Sequence, residues 1–320
     1  MKILNINSYY LSSSLYKPME DNLKKLGFDL STYVPLHDNY KVRKEITLPL
    51  PKHVNVSNSF KKNDRILFHL KHTKIRNDFF YHYKLTKYDV IHAHSLFSNG
   101  YIAYLAYKKY KIPYIVAVRN TDINVFFKKM FHLRRLGLNI LKNANKIIFL
   151  SESHKRECLD NYIPPKCKSL IENKITIIPN GIDDYWFENK YKKSKDTSKG
   201  ITKIIFVGND SKRKNLKTSI ASCDILVKQQ KDIELSLVGD ISEKTKKEIN
   251  NKEYIKVIGH VYQDELLSLY RQNDVFVLPS IHETFGLVYP EAMSQGLPVL
   301  YTKEQGFDKQ FEEGTIGYSV

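Results

Sequence analysis

The sequence predicts an α/β protein built from two doubly wound, Rossmann-like domains, and three observations carry that expectation. Short apolar strands alternate with helical segments along most of the chain, the pattern of parallel sheets covered by helices. A polar, charged and aperiodic run between Glu188 and Gly200 divides the alternation into two halves. The stretch Val275–Thr302 then compresses the pattern into one unit of strand, loop, helix and strand. A chain of 320 residues has room for two such domains, at about 100–200 residues each. They are placed at 1–188 and 201–320.

In chain order, Lys2–Ser8 reads as the first strand and Ser12–Ser14 as a turn. A helix follows over about Lys17–Leu26, closed by Gly27, and Phe28–Val34 is the next strand. The serines of the turn either cap the helix or donate to a phosphate, with capping favoured. Residues 40–77 show no clean period and are rich in Lys, Asn and His. Within them, Arg65–Arg76 sets apolar residues beside basic ones. That pattern fits a helix docked on the sheet, the commoner case, or one lying at a membrane interface.

Tyr88–His94 reads as a buried strand ending in a loop. His92 and His94 share one face of it, but no third metal ligand is near in sequence, so both are assigned to packing and hydrogen bonding. Tyr114–Val118 is a further strand, and it delivers Arg119 and Asp122 to the C-terminal edge of the sheet, where ligands bind. An arginine stays protonated, which excludes Arg119 as a general base. It either meets a phosphate or sugar hydroxyl, or pairs with Asp122. Residues 144–155 read as a strand and a helix start capped by Ser151 or Ser153. Lys174–Ile178 is the next strand, and Asn180-Gly181 after it is expected to supply a positive φ.

Thr202–Gly208 opens the second half. Helix Leu216–Lys228, strands Glu234–Val238 and Ile255–Ile258, and helix Gln263–Arg271 follow. The loop Gly208-Asn209-Asp210-Ser211-Lys212-Arg213-Lys214-Asn215 is basic. In the 275–302 stretch, the helix is expected to start between Thr284 and Gly286 and to stop at Gly296, with Pro298 just beyond. The N–H groups of Phe285, Gly286 and Leu287 then lie free at a helix N-terminus and form an anion pocket. Glu283 and Glu291 flank it, and their carboxylates accept from sugar hydroxyls. A ligand carrying both phosphate and hydroxyls suits that arrangement.

Composition narrows the classes. No run of eighteen apolar residues occurs, so no spanning helix is expected. Asn5 and Asn7 interrupt the apolar start, which reads as a strand and not a signal peptide. Three cysteines without metal spacing fit a reducing cytoplasm. The formal charge of +17 fits an anionic membrane surface or an acidic substrate, or reflects an AT-rich genome. Nucleic acid is not an expected partner, because none of its recognition modules is present.

The run Pro279-Ser280-x-x-Glu283-x-Phe285-Gly286-Leu287-Val288-x-x-Glu291-Ala292-Met293-x-x-Gly296-x-Pro298-Val299 resembles the nucleotide-sugar signature of family 4 retaining glycosyltransferases. Asp89-Val90-Ile91-His92-x-His94 and Pro179-Asn180-Gly181-Ile182-Asp183 resemble two further segments of that family. The resemblance implies the GT-B fold, two Rossmann-like domains facing a cleft. It implies a metal-independent hexosyltransferase with no cofactor beyond a nucleotide-diphosphate sugar donor. The acceptor would be a glycan or polyprenyl-linked glycan of surface or capsular polysaccharide synthesis, used at the cytoplasmic face of the membrane. It assigns catalysis to Arg119, Asp122 and Glu283, and donor binding to Gly208, Asn209, Arg213, Lys214, Thr284, Phe285, Gly286, Leu287 and Glu291, the last on the ribose hydroxyls.

Several positions depart from the family pattern. Ser12-Ser13-Ser14 stands for a glycine pair, Arg119 for a histidine, and Asn209 for a diphosphate-binding arginine. Lys214 keeps the lysine position, with Lys212 and Arg213 either supplementing it or merely solvated. Gln305-Gly306-Phe307-Asp308 replaces a Gly-Gly-x-Pro-Glu turn, and Val320 precedes the crossover helices that members carry, so a truncated C-terminal domain is expected. Two alternatives remain: a GT-B nucleotide-sugar epimerase, or a non-catalytic sugar-nucleotide-binding partner of a polysaccharide synthase. Transfer to an added acceptor separates the first, and donor hydrolysis the second.

Overall fold

The computed structural model describes residues 1–13, 15–40, 49–192 and 200–320. Ser14, residues 41–48 of the aperiodic stretch, and residues 193–199 of the polar run lie outside them. The chain divides into two compact units. The first is Met1–Leu150 with Lys155–Pro179, and the second is Ser151–His154 with Asn180–Val320. The polar run at 188–200 therefore falls inside the second unit, after the point where the units divide.

In the first unit, β1 (Lys2–Ile6), α1 (Tyr16–Lys25), β2 (Asp29–His37) and β3 (Val54–Phe60) are followed by α2 (Phe68–His82) and β4 (Val90–Ala93). Then come α3 (Gly100–Tyr110), β5 (Tyr114–Ala117), α4 (Arg134–Asn143), β6 (Lys146–Phe149), α5 (Glu152–Tyr162), α6 (Pro165–Glu172) and β7 (Ile175–Ile177). The strands form one parallel sheet in the order β3-β2-β1-β4-β5-β6-β7. The order reverses between β1 and β4, so that crevice is the topological switch point. Leu4, Ile6, Ile91, Ala93, Tyr114, Val116, Ile147 and Phe149 are buried on one face of the sheet and Ile3, Leu30 and Val90 on the other, as a sheet covered on both faces requires.

The second unit opens with α7 (Asp184–Glu188), then β8 (Thr202–Val207), α8 (Leu216–Lys228), β9 (Ile233–Val238), α9 (Glu243–Ile249) and β10 (Ile255–Gly259). It continues through α10 (Gln263–Gln272), β11 (Val275–Leu278), α11 (Val288–Ser294), β12 (Val299–Tyr301) and β13 (Gly317–Ser319). Its sheet is also parallel, in the order β10-β9-β8-β11-β12-β13. The switch lies between β8 and β11, the strands whose loops carry the basic run and Glu283.

The structure corrects some local expectations and bears out others. Ser12 and Ser13 do not cap α1: its N-cap is Leu15, without a side-chain bond, and Ser12 Oγ donates to Tyr9 O at 2.9 Å. Gly181 takes no left-handed φ, and the turn needs none. The Arg65–Arg76 segment docks on the sheet, since Phe68, His72, Ile75 and Phe79 recur at helical spacing and are buried. β3 was not anticipated; it is an edge strand, mostly half-buried, without the alternation that marks a covered one. Ser151 acts as the expected cap, its Oγ accepting from His154 N at 3.3 Å.

Two glycines let the edge of the second sheet close up. Gly208 N donates to Val238 O at 2.8 Å and Gly239 N to Gly259 O at 2.7 Å. A Cβ at Gly239, whose φ is +127°, would stand 2.4 Å from Gly208 O. Backbone cannot swing aside as a side chain can. Gly239→Ala is therefore expected to destabilise the protein by about 1–3 kcal/mol, the range for overpacking, read as a lowered thermal midpoint. An unchanged midpoint would show that the two turns do not depend on this approach.

Candidate functional site

Three loops meet at the C-terminal edge of the second sheet, after β8, β11 and β12. Gly208 leaves β8 with a φ of +156°. Asn209 Oδ1 accepts from Ser211 N at 3.3 Å, and Lys214 N donates to Ser211 O at 2.9 Å, which curls the loop. Asn215 takes a left-handed conformation (φ 56°) at the N-cap of α8. Its Nδ2 donates to Pro279 O at 3.0 Å, and Ile281 N donates to Arg213 O at 2.8 Å. These bonds stitch the basic loop to the loop after β11.

The stitching delivers two cations to one carboxylate. Lys214 Nζ donates to Glu283 Oε2 at 2.8 Å, with the lysine side chain 14% and the glutamate side chain 9% exposed. Arg213 Nη1 lies 3.4 Å from the same oxygen and 3.3 Å from His282 O. Asn209 brings no charge here; its side chain serves the turn. Lys212 is exposed to solvent.

The third loop holds Glu283 from the other side. Glu283 N donates to Gln305 Oε1 at 3.1 Å, and Gly306 N donates to Glu283 O at 2.7 Å. A Cβ at Gly306 would sit 2.0 Å from Thr284 O, so only glycine fits. Gln305 and Gly306 thus belong to the site. Their sequence signal was present only as a departure from the Gly-Gly-x-Pro-Glu pattern.

The helix after this loop begins later than expected. α11 starts at Val288, with Leu287 as N-cap, and not between Thr284 and Gly286. The cause is Gly286, whose φ of +80° is not helical and whose Cβ would lie 2.5 Å from the Tyr289 ring. The N–H groups of Phe285, Gly286 and Leu287 still meet no acceptor among the described residues. They are donors of a glycine-turned loop that leads into the helix. The Phe285 side chain is buried and packs 6.0 Å from Phe307, so its contribution to a ligand is its backbone. Tyr289 stacks on Phe307 at 4.5 Å and donates its hydroxyl to Leu278 O at 2.6 Å, fixing α11 beneath the loop. Glu291, half-buried in the first turn of α11, has its carboxyl pushed up to about 7, by burial first and by Asp183 second.

In the first unit, Arg119 follows β5 and its Nε donates to His94 O at 3.1 Å. Asp122, expected as a catalytic carboxylate, is buried and holds backbone. It accepts from Leu96 N at 2.9 Å, Phe97 N at 3.0 Å and Arg119 N at 2.8 Å. Burial raises its carboxyl to about 6 against the pull of those donors and of Arg119. A π-helix over Asp122–Phe127 follows, a distortion frequent beside functional sites. His92 and His94 lie ring to ring at 4.0 Å. Burial pushes His92 down to about 4 and His94 well below its ordinary value, so both are neutral packing groups. Among the described residues, no group of three His, Cys, Asp or Glu could hold a metal ion. No described helix is long and apolar enough to cross a membrane.

Comparison with known proteins agrees with this architecture. Residues 187–320 match the family model described as Glycosyl transferases group 1, and residues 20–185 match Glycosyltransferase Family 4. An uncharacterized glycosyltransferase of Methanocaldococcus jannaschii is 28% identical over 72% of this chain and 60% of its own length. Alpha-monoglucosyldiacylglycerol synthase of Acholeplasma laidlawii is 25% identical over 93% of this chain and 78% of its own length. The matched part therefore spans about 60% of the Methanocaldococcus jannaschii relatives. Sucrose-phosphate synthase from Thermosynechococcus elongatus superposes with a TM-score of 0.74 at 17% identity, covering 100% of this chain and 86% of that one. The two parallel-sheet units make the fold GT-B, and the chain belongs to Glycosyltransferase Family 4.

Proposed function

We propose that the chain is a retaining glycosyltransferase that moves a sugar from a nucleotide-diphosphate donor to a glycan or polyprenyl-linked acceptor in surface polysaccharide synthesis. The observation that carries this reading is the placement of Lys214 and Arg213 beside Glu283, next to free loop N–H groups. Two cations on one carboxylate leave net positive charge, and oriented N–H donors add to it. A departing diphosphate develops negative charge that such a preorganised cluster stabilises. Lys214 and Arg213 swing from Glu283 toward the phosphates, and Glu283 returns them. The acceptor oxygen attacks the face the diphosphate leaves, and a phosphate oxygen takes its proton, so no carboxylate base is needed. Glu291 accepts from the ribose hydroxyls, and Arg119 binds a phosphate or sugar hydroxyl. The likeness to a relative named for a diacylglycerol product favours an acceptor borne on lipid.

A thermal-shift panel of UDP-, GDP- and ADP-sugars tests the reading. One nucleotide class is expected to raise the melting temperature, since ligand at a hundredfold over Kd stabilises by about 2.7 kcal/mol. A flat response across the panel would sink it.

Lys214→Ala is expected to lower kcat/KM by about a hundredfold, as for loss of one preorganised charge donor. Asn209→Arg should match or exceed the parent, because it adds charge where charge develops. A harmless Lys214→Ala, measured by donor turnover, removes the clamp from the mechanism.

Glu291 yields a pH prediction. Its folded pKa of about 7 exceeds the ordinary carboxyl value, so the folded protein holds an extra proton between that value and 7. The stabilisation it contributes is present below the ordinary value and is lost as pH rises through 7. Donor binding has the opposite slope, because only the ionised carboxylate accepts from both ribose hydroxyls. Affinity should rise about tenfold from pH 6 to pH 8 by proton linkage. In Glu291→Gln the curve should be flat. A parent curve already flat over that range disproves the assignment.

A further inference from the structure

Three hydrophobic side chains stand out from the first unit where α2 begins. Ile66, Leu67 and Leu70 are 81%, 60% and 45% exposed. The inward stripe of α2 starts with Phe68 and is already spent on the core, so these three are left outward, exposed among the described residues. Phe131, 73% exposed, stands out of the segment that follows the Asp122–Phe127 π-helix. The two segments are neighbours, because the Phe68 ring lies 5.8 Å from Phe126. Exposed apolar groups gathered in this way mark a surface for a protein or a membrane.

Charge decides between the two. The only acid in residues 61–76 is Asp64, and it is buried and bound to Lys74 at 2.7 Å. Lys61, Lys62 and Arg65 beside it are exposed. Residues 123–135 hold no acid, and Lys128, Lys129 and Arg135 are exposed there. A protein surface offering apolar contact rarely offers uninterrupted negative charge as well. A bilayer of anionic lipids offers both, headgroup phosphates above and acyl chains below.

We infer that this face docks on an anionic phospholipid bilayer. Ile66, Leu67, Leu70 and Phe131 enter the headgroup boundary, and the surrounding lysines and arginines rest on the phosphates. The π-helix that leads into the Phe131 segment begins three residues after Arg119, so docking brings the bilayer to the sheet edge that carries that side chain. This last point rests on the reading that the acceptor is lipid-borne.

The test is flotation of the full chain with phosphatidylcholine vesicles, with and without phosphatidylglycerol. The parent should float with the anionic vesicles at low salt and be released by high salt. Ile66→Ser/Leu67→Ser/Leu70→Ser should weaken partitioning by at least about tenfold at an unchanged melting temperature, because the apolar anchor is gone. Lys128→Glu/Lys129→Glu should weaken it too, which keeps the test alive if the triple variant folds poorly. Equal flotation with both vesicle types, or by parent and variants alike, overturns the proposal. Self-association of the parent that the triple variant abolishes, without vesicle binding, also overturns it and assigns the face to a second copy. Sugar-nucleotide thermal shifts on the same samples separate the two failures. A donor shift without flotation sinks this face alone, whereas flotation without a donor shift sinks the transferase reading.

Discussion

The carboxylate of Glu283 is the point on which the second unit's loops converge, and its side chain is 9% exposed. A carboxylate that far out of water is costly unless it is paired, and removing one partner leaves the cost uncompensated. Lys214 and Arg213 reach it only because the loop after β8 is curled by Asn209 and stitched to Pro279 and Ile281. Glu283 itself stays in place because Gln305 and Gly306 grip its backbone. The glycines at 208, 239, 286 and 306 let these loops approach where a Cβ would collide or strain. Sequence acts here through what it omits, the side chains that would have held the loops apart.

Much of the second unit was legible because its signals are local. The bounds of α8 match the sequence reading and those of β8 come within one residue of it, the strand as a sharp apolar run and the helix as Leu216, Ile220 and Cys223 at helical spacing. The start of α11 was not legible. Gly286 takes a φ of +80° in a loop whose Glu283 and Thr284 lie against Gly306, residues distant in sequence. β3 was missed for a different reason: an edge strand with wet faces carries no alternation to detect. The Asn180-Gly181 expectation failed because a dipeptide that permits a positive φ does not demand one.

Asp122 has partners that the local sequence does not show. The resemblance assigns it to catalysis at the sheet edge. In the structure its carboxylate accepts from the N–H groups of Leu96 and Phe97, which come from the loop after β4. No local pattern around residue 122 announces that pairing.

The two units therefore hold these carboxylates by different means, backbone in one and side chains in the other. Backbone N–H groups hold Asp122, and these cannot leave without unfolding the turns that present them. Such a carboxylate is a fastener. Side chains on flexible stems hold Glu283, one a lysine and the other an arginine at the longer distance of 3.4 Å. Those cations can turn to a new anion at the cost of one exchanged ion pair, while the backbone grip of Gln305 and Gly306 keeps Glu283 ready to receive them again. A lysine's charge on a rotatable stem and an arginine's planar fork suit that exchange between carboxylate and phosphate. Reversible pairing of this kind is what a site must do if it binds a diphosphate, releases it and begins again.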